Sequence, residues 1–193
     1  MIYLFVCENT LAASGGSPRR RDTEYIDHMS ALFYTQIDDS PVGPLLLAGD
    51  SEALHVLAFG AGSRPREIDA DWKPDTKGVL KDVRRELDQY FAGKLKKFNT
   101  SLAFNGTPFQ VDVWKELTRI PYGETISYLD LANRIKNPKA VRAVGMANGA
   151  NPIAIIVPCH RVIGSNGSLT GFGGGLPTKR ALLELEKGQR TLL

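Results

Sequence analysis

The stretch Asn137-Pro138-Lys139-Ala140-Val141-Arg142-Ala143-Val144-Gly145 decides how the second half of this 193-residue chain folds. Asn-Pro predicts a helix start, because proline suits the first helical turn and pushes its predecessor out of the helical region. Val141, Val144 and Gly145 then share an inward face. Lys139, Arg142 and Met146 share the other, with Ala140, Ala143 and Ala147 around them. Just upstream, Ser127-Tyr128-Leu129-Asp130 has the spacing of a capping box, with Leu131, Ala132 and Ile135 directed inward. Two short helices across a tight break make a helix-turn-helix pattern. Helical hairpins are common, so the pattern alone leaves its purpose open. The outer face has two readings as well. Small side chains let a partner's backbone come close around the long cation Arg142, yet alanine is also simply a good helix former.

Working outward on the N-terminal side, Thr107-Pro108 is an N-cap and first-turn pair, and Phe109, Val113, Trp114 and Leu117 form an apolar stripe. Pro121-Tyr122-Gly123 breaks that helix. On the C-terminal side, Gly149-Ala150-Asn151-Pro152 ends the hairpin and feeds the apolar run Ile155-Ile156-Val157-Pro158-Cys159-His160-Arg161-Val162-Ile163. The run predicts strands on either side of Cys159. Free cysteine usually packs as a small hydrophobe. Here proline, imidazole and guanidinium interrupt the apolar run, which a purely structural strand seldom allows, and this favours a reactive thiol.

A reactive cysteine needs a base, because the thiolate is the nucleophile. The candidates are His28, His55 and His160. His160 is adjacent to the cysteine, so direct pairing would be strained unless the strand breaks there, and a bridging water is the alternative. A third group should orient the histidine. The last helix, predicted from Leu176-Pro177-Thr178 to Gly188, places Leu182, Leu185 and Glu186 on one stripe and turns Glu184 and Lys187 away. A carboxylate on such a stripe is costly unless paired, which singles out Glu186; fraying at the helix end would instead leave it solvated. Between site and helix, residues 164–175 are too glycine-rich for packing, and they lack a Gly-Lys-Ser/Thr ending, which disfavours a phosphate-binding loop. They predict a backbone-lined pocket with Phe172 as its ring, or a flexible connector.

The composition, 42% hydrophobic and 23% charged, excludes disorder and membrane classes. Two cysteines far apart point to a reducing cytoplasm. Residues 105–193 carry eleven Lys/Arg against six Asp/Glu, whereas the first 104 residues carry thirteen against fifteen. An anionic partner for the second half, or an ordinary solvated surface, accounts for that asymmetry. Residues 1–28, with Ser14-Gly15-Gly16-Ser17-Pro18 and Arg19-Arg20-Arg21, read as a flexible extension, and Met29 is a second candidate start. Phe33–Ile37, Leu45–Ala48 and Leu54–Phe59 predict a β-meander. Leu80, Val83, Leu87 and Phe91 predict a helix stopped at Gly93. A mixed domain over 31–104 precedes the unit at 105–193.

Taken together, Asn151-Pro152, Pro158-Cys159-His160-Arg161, the glycine loop, residues 121–128 and residues 137–145 resemble the methylated-DNA–protein-cysteine methyltransferases. The likeness runs from Thr107 to Glu186, and more weakly over 31–104. It implies an α+β fold: a small ribonuclease-H-like α/β domain, then a winged helix-turn-helix-like catalytic domain. It also implies irreversible, single-turnover transfer of an alkyl group from the 6-oxygen of guanine, and from the 4-oxygen of thymine, to Cys159 without cofactor. In the resemblance His160 activates the thiol through water, Glu186 orients His160, and Asn151 braces the site. Tyr128 and Arg142 flip the damaged nucleotide from the minor groove of duplex DNA. Asn137 and Ser165 contact DNA or the flipped base, and Val162 and Phe172 line the pocket. Phe172 stands where tyrosine is common, which removes a hydroxyl contact. Some members hold zinc in the first domain; Cys7, His28 and His55 are too few and scattered, so no structural metal is expected. The expected state is a monomer, with no membrane partner. A lesion sensor of the same fold, a transcriptional regulator and a cysteine hydrolase are the rival readings.

Overall fold

The computed structural model describes residues 2–3, 31–62 and 65–188; Cys7, His28 and most of the expected N-terminal extension lie outside them. The first half is built on a sheet of β1 (Ile2–Tyr3), β2 (Phe33–Ile37), β3 (Leu45–Gly49), β4 (Leu54–Phe59) and β5 (Lys73–Pro74), followed by helix α1 (Lys81–Phe91) and strand β6 (Leu102–Ala103). The strand order is β1-β6-β4-β3-β2-β5. β2, β3 and β4 pair antiparallel, as their alternation and turn residues predict. β3 is buried along its whole length, and the sheet's apolar face takes Val83, Leu87, Tyr90 and Phe91 from α1. α1 stops where Gly93 adopts φ 70°; the amides of Gly93 and Lys94 satisfy the carbonyls of Tyr90 and Gln89. Within the expected extension, Ile2–Tyr3 pairs in parallel with Leu102–Ala103.

The second half holds α2 (Pro108–Leu117), β7 (Ile126–Ser127), α3 (Tyr128–Arg134), α4 (Val141–Gly149), β8 (Val162–Ile163) and α5 (Gly175–Glu186). Both sequence-predicted N-caps are present. Thr107 caps α2 with Gln110 completing the box, and Ser127 caps α3 with Asp130. The break between α3 and α4 is a Schellman turn, in which the amides of Lys136 and Asn137 reach the carbonyls of Asn133 and Ala132. Lys136 takes φ 58° there, a conformation glycine adopts more easily, and Pro138 prevents the helix from continuing. A short 3-10 turn, Pro138–Ala140, leads into α4. The indole N–H of Trp114 donates to the Ala147 carbonyl at 2.8 Å and clamps α2 to α4.

Three expectations are corrected. The apolar run before Cys159 is not a strand: residues 154–157 turn, Ile155 has φ 68°, and Cys159–Arg161 form a 3-10 turn. Continuous hydrophobicity there reflects a buried turn, because every side can face the core. Ala147 belongs to the inner face of α4, under the Trp114 bond, not to the outer one. The glycine loop also packs. A Cβ on Gly174 would stand 2.8 Å from the Phe59 ring, and Phe172 meets that ring edge-on at 5.3 Å.

The two halves share one hydrophobic core. β4 also bridges in parallel to the segment that follows Asn151. The Leu57 amide donates to Pro152 O at 3.0 Å, and the Ala154 amide donates to Leu57 O at 2.7 Å. β7 and β8 pair in parallel, Ile126 with Val162, which ties the start of α3 to the strand just beyond Cys159.

Candidate active site

Cys159 is 5% exposed at the start of its 3-10 turn, and His160 beside it is fully buried. That turn, and not a strand, lets adjacent side chains serve one site. Asn151 braces it. Its side-chain amide donates to Val157 O at 2.8 Å, and its Oδ1 accepts from the Ile153 amide at 3.0 Å. The loop is thus closed around Ile155, whose left-handed conformation is strained for a β-branched residue.

His160 Nε2 lies 2.9 Å from Glu186 Oε1. Glu186 comes from the last turn of α5, on the inward stripe, and is 5% exposed. Arg161 grips the same carboxylate as a fork, Nε to Oε2 and Nη2 to Oε1, each at 2.8 Å, while its Nη1 donates to Ile120 O at 2.6 Å. The amide of Gly123 donates to Oε2 at 3.1 Å, and the Tyr90 hydroxyl donates to Oε1 at 2.7 Å. Gly123 has φ 80°, and a Cβ there would sit 3.1 Å from the Glu186 carbonyl oxygen, so only glycine fits easily.

Burial alone would raise the Glu186 pKa; the bonds from His160 and Arg161 overcome it and hold the carboxyl well below its usual range. An ionised Glu186 accepts, so His160 Nε2 carries the proton and Nδ1 presents a lone pair. Nδ1 is buried with no hydrogen-bond partner. Burial lowers the His160 pKa, against the opposing pull of Glu186, and keeps the ring neutral. Burial raises the Cys159 pKa, offset in part by the Asn151 amide and the Lys179 ammonium. At rest the site therefore holds a thiol and a neutral imidazole.

The outer face of α4 lines an open groove of about 770 Å³, with Arg142, Met146, Thr107 and Gly171–Gly173 on its walls. Met146 is 77% exposed. Tyr128 begins α3 and accepts a hydrogen bond at 3.2 Å from Thr170 of the glycine loop. Of the residues singled out in the sequence, Cys159, His160, Glu186 and Asn151 converge. Val162 is buried beside them in β8, and Phe172 and Arg142 border the groove. Asn137 and Ser165 are exposed in the turns before α4 and after β8, apart from that cluster's hydrogen bonds.

Residues 108–188 match the family described as 6-O-methylguanine DNA methyltransferase, DNA binding domain, and residues 32–104 match its ribonuclease-like domain. A methylated-DNA–protein-cysteine methyltransferase of Methanosarcina acetivorans is 52% identical over 153 residues, spanning 79% of this chain and 97% of its own length. The protein of that name from Mycobacterium tuberculosis is 53% identical over 151 residues, 78% of this chain and 90% of its own. The crystal structure of Mycobacterium tuberculosis OGT in complex with DNA aligns at a TM-score of 0.75 and 52% identity, covering 81% of this chain and 94% of that one. The chain belongs to the methylated-DNA–protein-cysteine methyltransferase family. The α+β fold expected from the sequence is the family's, with a ribonuclease-like unit followed by a DNA-binding one.

Several side chains around this methyltransferase's site escaped the sequence reading. Arg161 stood out only as an oddity in an apolar run, and its carboxylate partner is 25 residues away. Lys179 is fully buried; its Nζ donates to Val162 O at 2.7 Å and to Thr170 O at 3.2 Å, tying the strand after Cys159 to the glycine loop. Its place on the inward stripe of α5 was the available signal, since a buried lysine is rare. Tyr90 lies in the other half of the chain, and no local pattern points to it. Among the described residues, no group of three or more His, Cys, Asp or Glu is arranged to hold a metal, and no helix is long and apolar enough to cross a membrane.

Proposed function

We propose that Cys159 is the alkyl acceptor of this methyltransferase, with His160 as its base, Glu186 orienting that base and Asn151 bracing the turn. The carrying observation is the commitment of His160 Nε2 to Glu186, which leaves the buried Nδ1 lone pair as the proton acceptor nearest the thiol in sequence. A water between the two groups relays the proton. The Cys159 sulfur attacks the alkyl carbon on the 6-oxygen of guanine, the S–C bond forms, and the C–O bond breaks with its electron pair left on the oxygen. The proton lost by the thiol returns to N1 of the departing guanine, so no cofactor is consumed. Nothing in this chemistry returns the thioether to a free thiol, and the protein acts once. The 4-oxygen of alkylated thymine presents a leaving group of the same kind, with N3 of thymine taking the proton.

The partner is duplex DNA, taken by a single copy of the chain along the groove beside α4. The small outer side chains of that helix suit close approach to a minor groove, and Arg142 stands where a long planar group replaces an extruded base. Tyr128 pushes at the phosphate, Asn137 and Ser165 contact the strand or the flipped base, and Val162 and Phe172 shape its pocket. Reaction with a duplex carrying 6-O-methylguanine, followed by intact-mass measurement and peptide mapping, tests the reading. One added methyl on Cys159 is expected, with Cys159→Ala still binding the lesion. A methyl on Cys7 would overturn the assignment of Cys159, and several turnovers per protein would overturn the reading and favour a hydrolase.

A further inference from the structure

Glu186 receives one of its hydrogen bonds from outside the catalytic half. Tyr90, in the last turn of α1, is fully buried, and its hydroxyl donates to Oε1 at 2.7 Å across 96 residues of sequence. That oxygen is the one that also meets His160 Nε2 and Arg161 Nη2. The Tyr90 ring itself is held by neighbours independent of the hydroxyl. It packs on Phe91 at 5.5 Å, on Phe98 at 5.4 Å and on Tyr122 at 6.1 Å. A phenylalanine would fill the same space, so the hydroxyl is there for the carboxylate.

We propose that Tyr90 is a positioning residue for alkyl transfer: its hydroxyl fixes Glu186 Oε1 against His160 Nε2, so the ribonuclease-like half supplies part of the catalytic hydrogen-bond network. This rests on the reading of Cys159 as acceptor and His160 as base. The Arg161 fork sets the plane of the carboxylate from one side, and Gly123 anchors Oε2. Tyr90 is the remaining donor, and it loads the oxygen that must steady a developing imidazolium. Burial first, and the adjacent Glu186 charge second, raise the Tyr90 pKa well above its ordinary value. The phenol therefore stays a neutral donor throughout the working pH range. A neutral donor to a buried carboxylate disperses its charge without competing with His160 for a salt bridge.

Single-turnover transfer from free O6-benzylguanine isolates the chemistry from DNA binding. Tyr90→Phe is expected to slow that transfer about tenfold and to shift the His160 Nε2 proton resonance, a signal that loss of packing alone does not move. Val83→Ala, on the same helix but away from Glu186, is expected to lower thermal stability while leaving the transfer rate and that resonance in place. If Tyr90→Phe lowers stability only, with rate and resonance unchanged, the positioning role is refuted. Should that variant not fold, 3-fluorotyrosine at position 90, a stronger donor of nearly the same shape, is expected to move both readouts, and their constancy would refute the role equally. Absence of transfer to Cys159 in the unsubstituted protein would instead defeat the acceptor reading, a separately visible result.

Discussion

An ionised carboxylate in a protein interior costs several kcal/mol unless donors compensate it, and Glu186 has donors from four residues. Replacing it with glutamine leaves Arg161 without its charge partner, and about 3 kcal/mol of stability should go with it. The same change should slow transfer about a hundredfold, the lower range for losing an acid–base partner. Glu184→Gln, half-buried on the other side of α5, should alter the transfer rate less than twofold. Equal single-turnover rates for the two variants would remove Glu186 from the mechanism. Acid should act through the same pair. The folded pKa of His160 lies below its ordinary value, so below about pH 6.5 the unfolded chain takes up a proton that the folded chain refuses. The folded pKa of Glu186 is also depressed, so its stabilisation is complete above the ordinary carboxylate range and drains away as pH falls beneath it. Denaturant midpoints should therefore fall from pH 7 to 5 and again from pH 5 to 3, with the second fall smaller in Glu186→Gln. At this scale the odd neighbours of Cys159 marked it for attention, and the burial of Glu186 was legible from its place on an apolar stripe. The sequence did not disclose what Arg161 and Tyr90 do, because their partners are 25 and 96 residues away and lie in no common period.

Helices and turns were more legible than strands. The N-caps of α2 and α3 follow from side chains within three residues, and local chemistry of that kind reads directly. The two-residue strands β1, β5, β6, β7 and β8 carry no periodicity and exist only through their partners. The run before Cys159 misled for a related reason: burial on all sides looks the same in a strand and in a buried turn. α4 gives the sharpest functional test at this scale. Its inner face is fixed by Val144, Ala147 and Asn148, while Arg142 lies on the exposed face that lines the groove. If Arg142 fills the space of an extruded base, Arg142→Ala should slow transfer from duplex DNA at least tenfold more than transfer from a free alkylated guanine base. Lys187→Ala, which removes an exposed cation after α5, should affect neither strongly. Equal slowing of both substrates by Arg142→Ala would assign the arginine to the site or the fold instead.

Across the whole molecule, the two halves that the sequence separates so clearly have no separate interiors. Leu57, Phe59 and Tyr90 belong to the same hydrophobic core as Trp114, Val157 and Leu182. Unfolding should accordingly be a single cooperative transition, with tryptophan fluorescence and far-ultraviolet circular dichroism giving coincident midpoints; two resolved transitions would mean that the shared core is energetically weak. The bridge from Leu57 to Pro152 and Ala154 gives this continuity a particular meaning. The turn that presents Cys159 leans on a strand from the other half of the chain, so its shape depends on both halves together. A reagent used once has no later cycle in which to correct a poorly formed site. If unfolding proves to be a single transition, readiness is all-or-none as well: the molecule is either finished and armed, or it is neither.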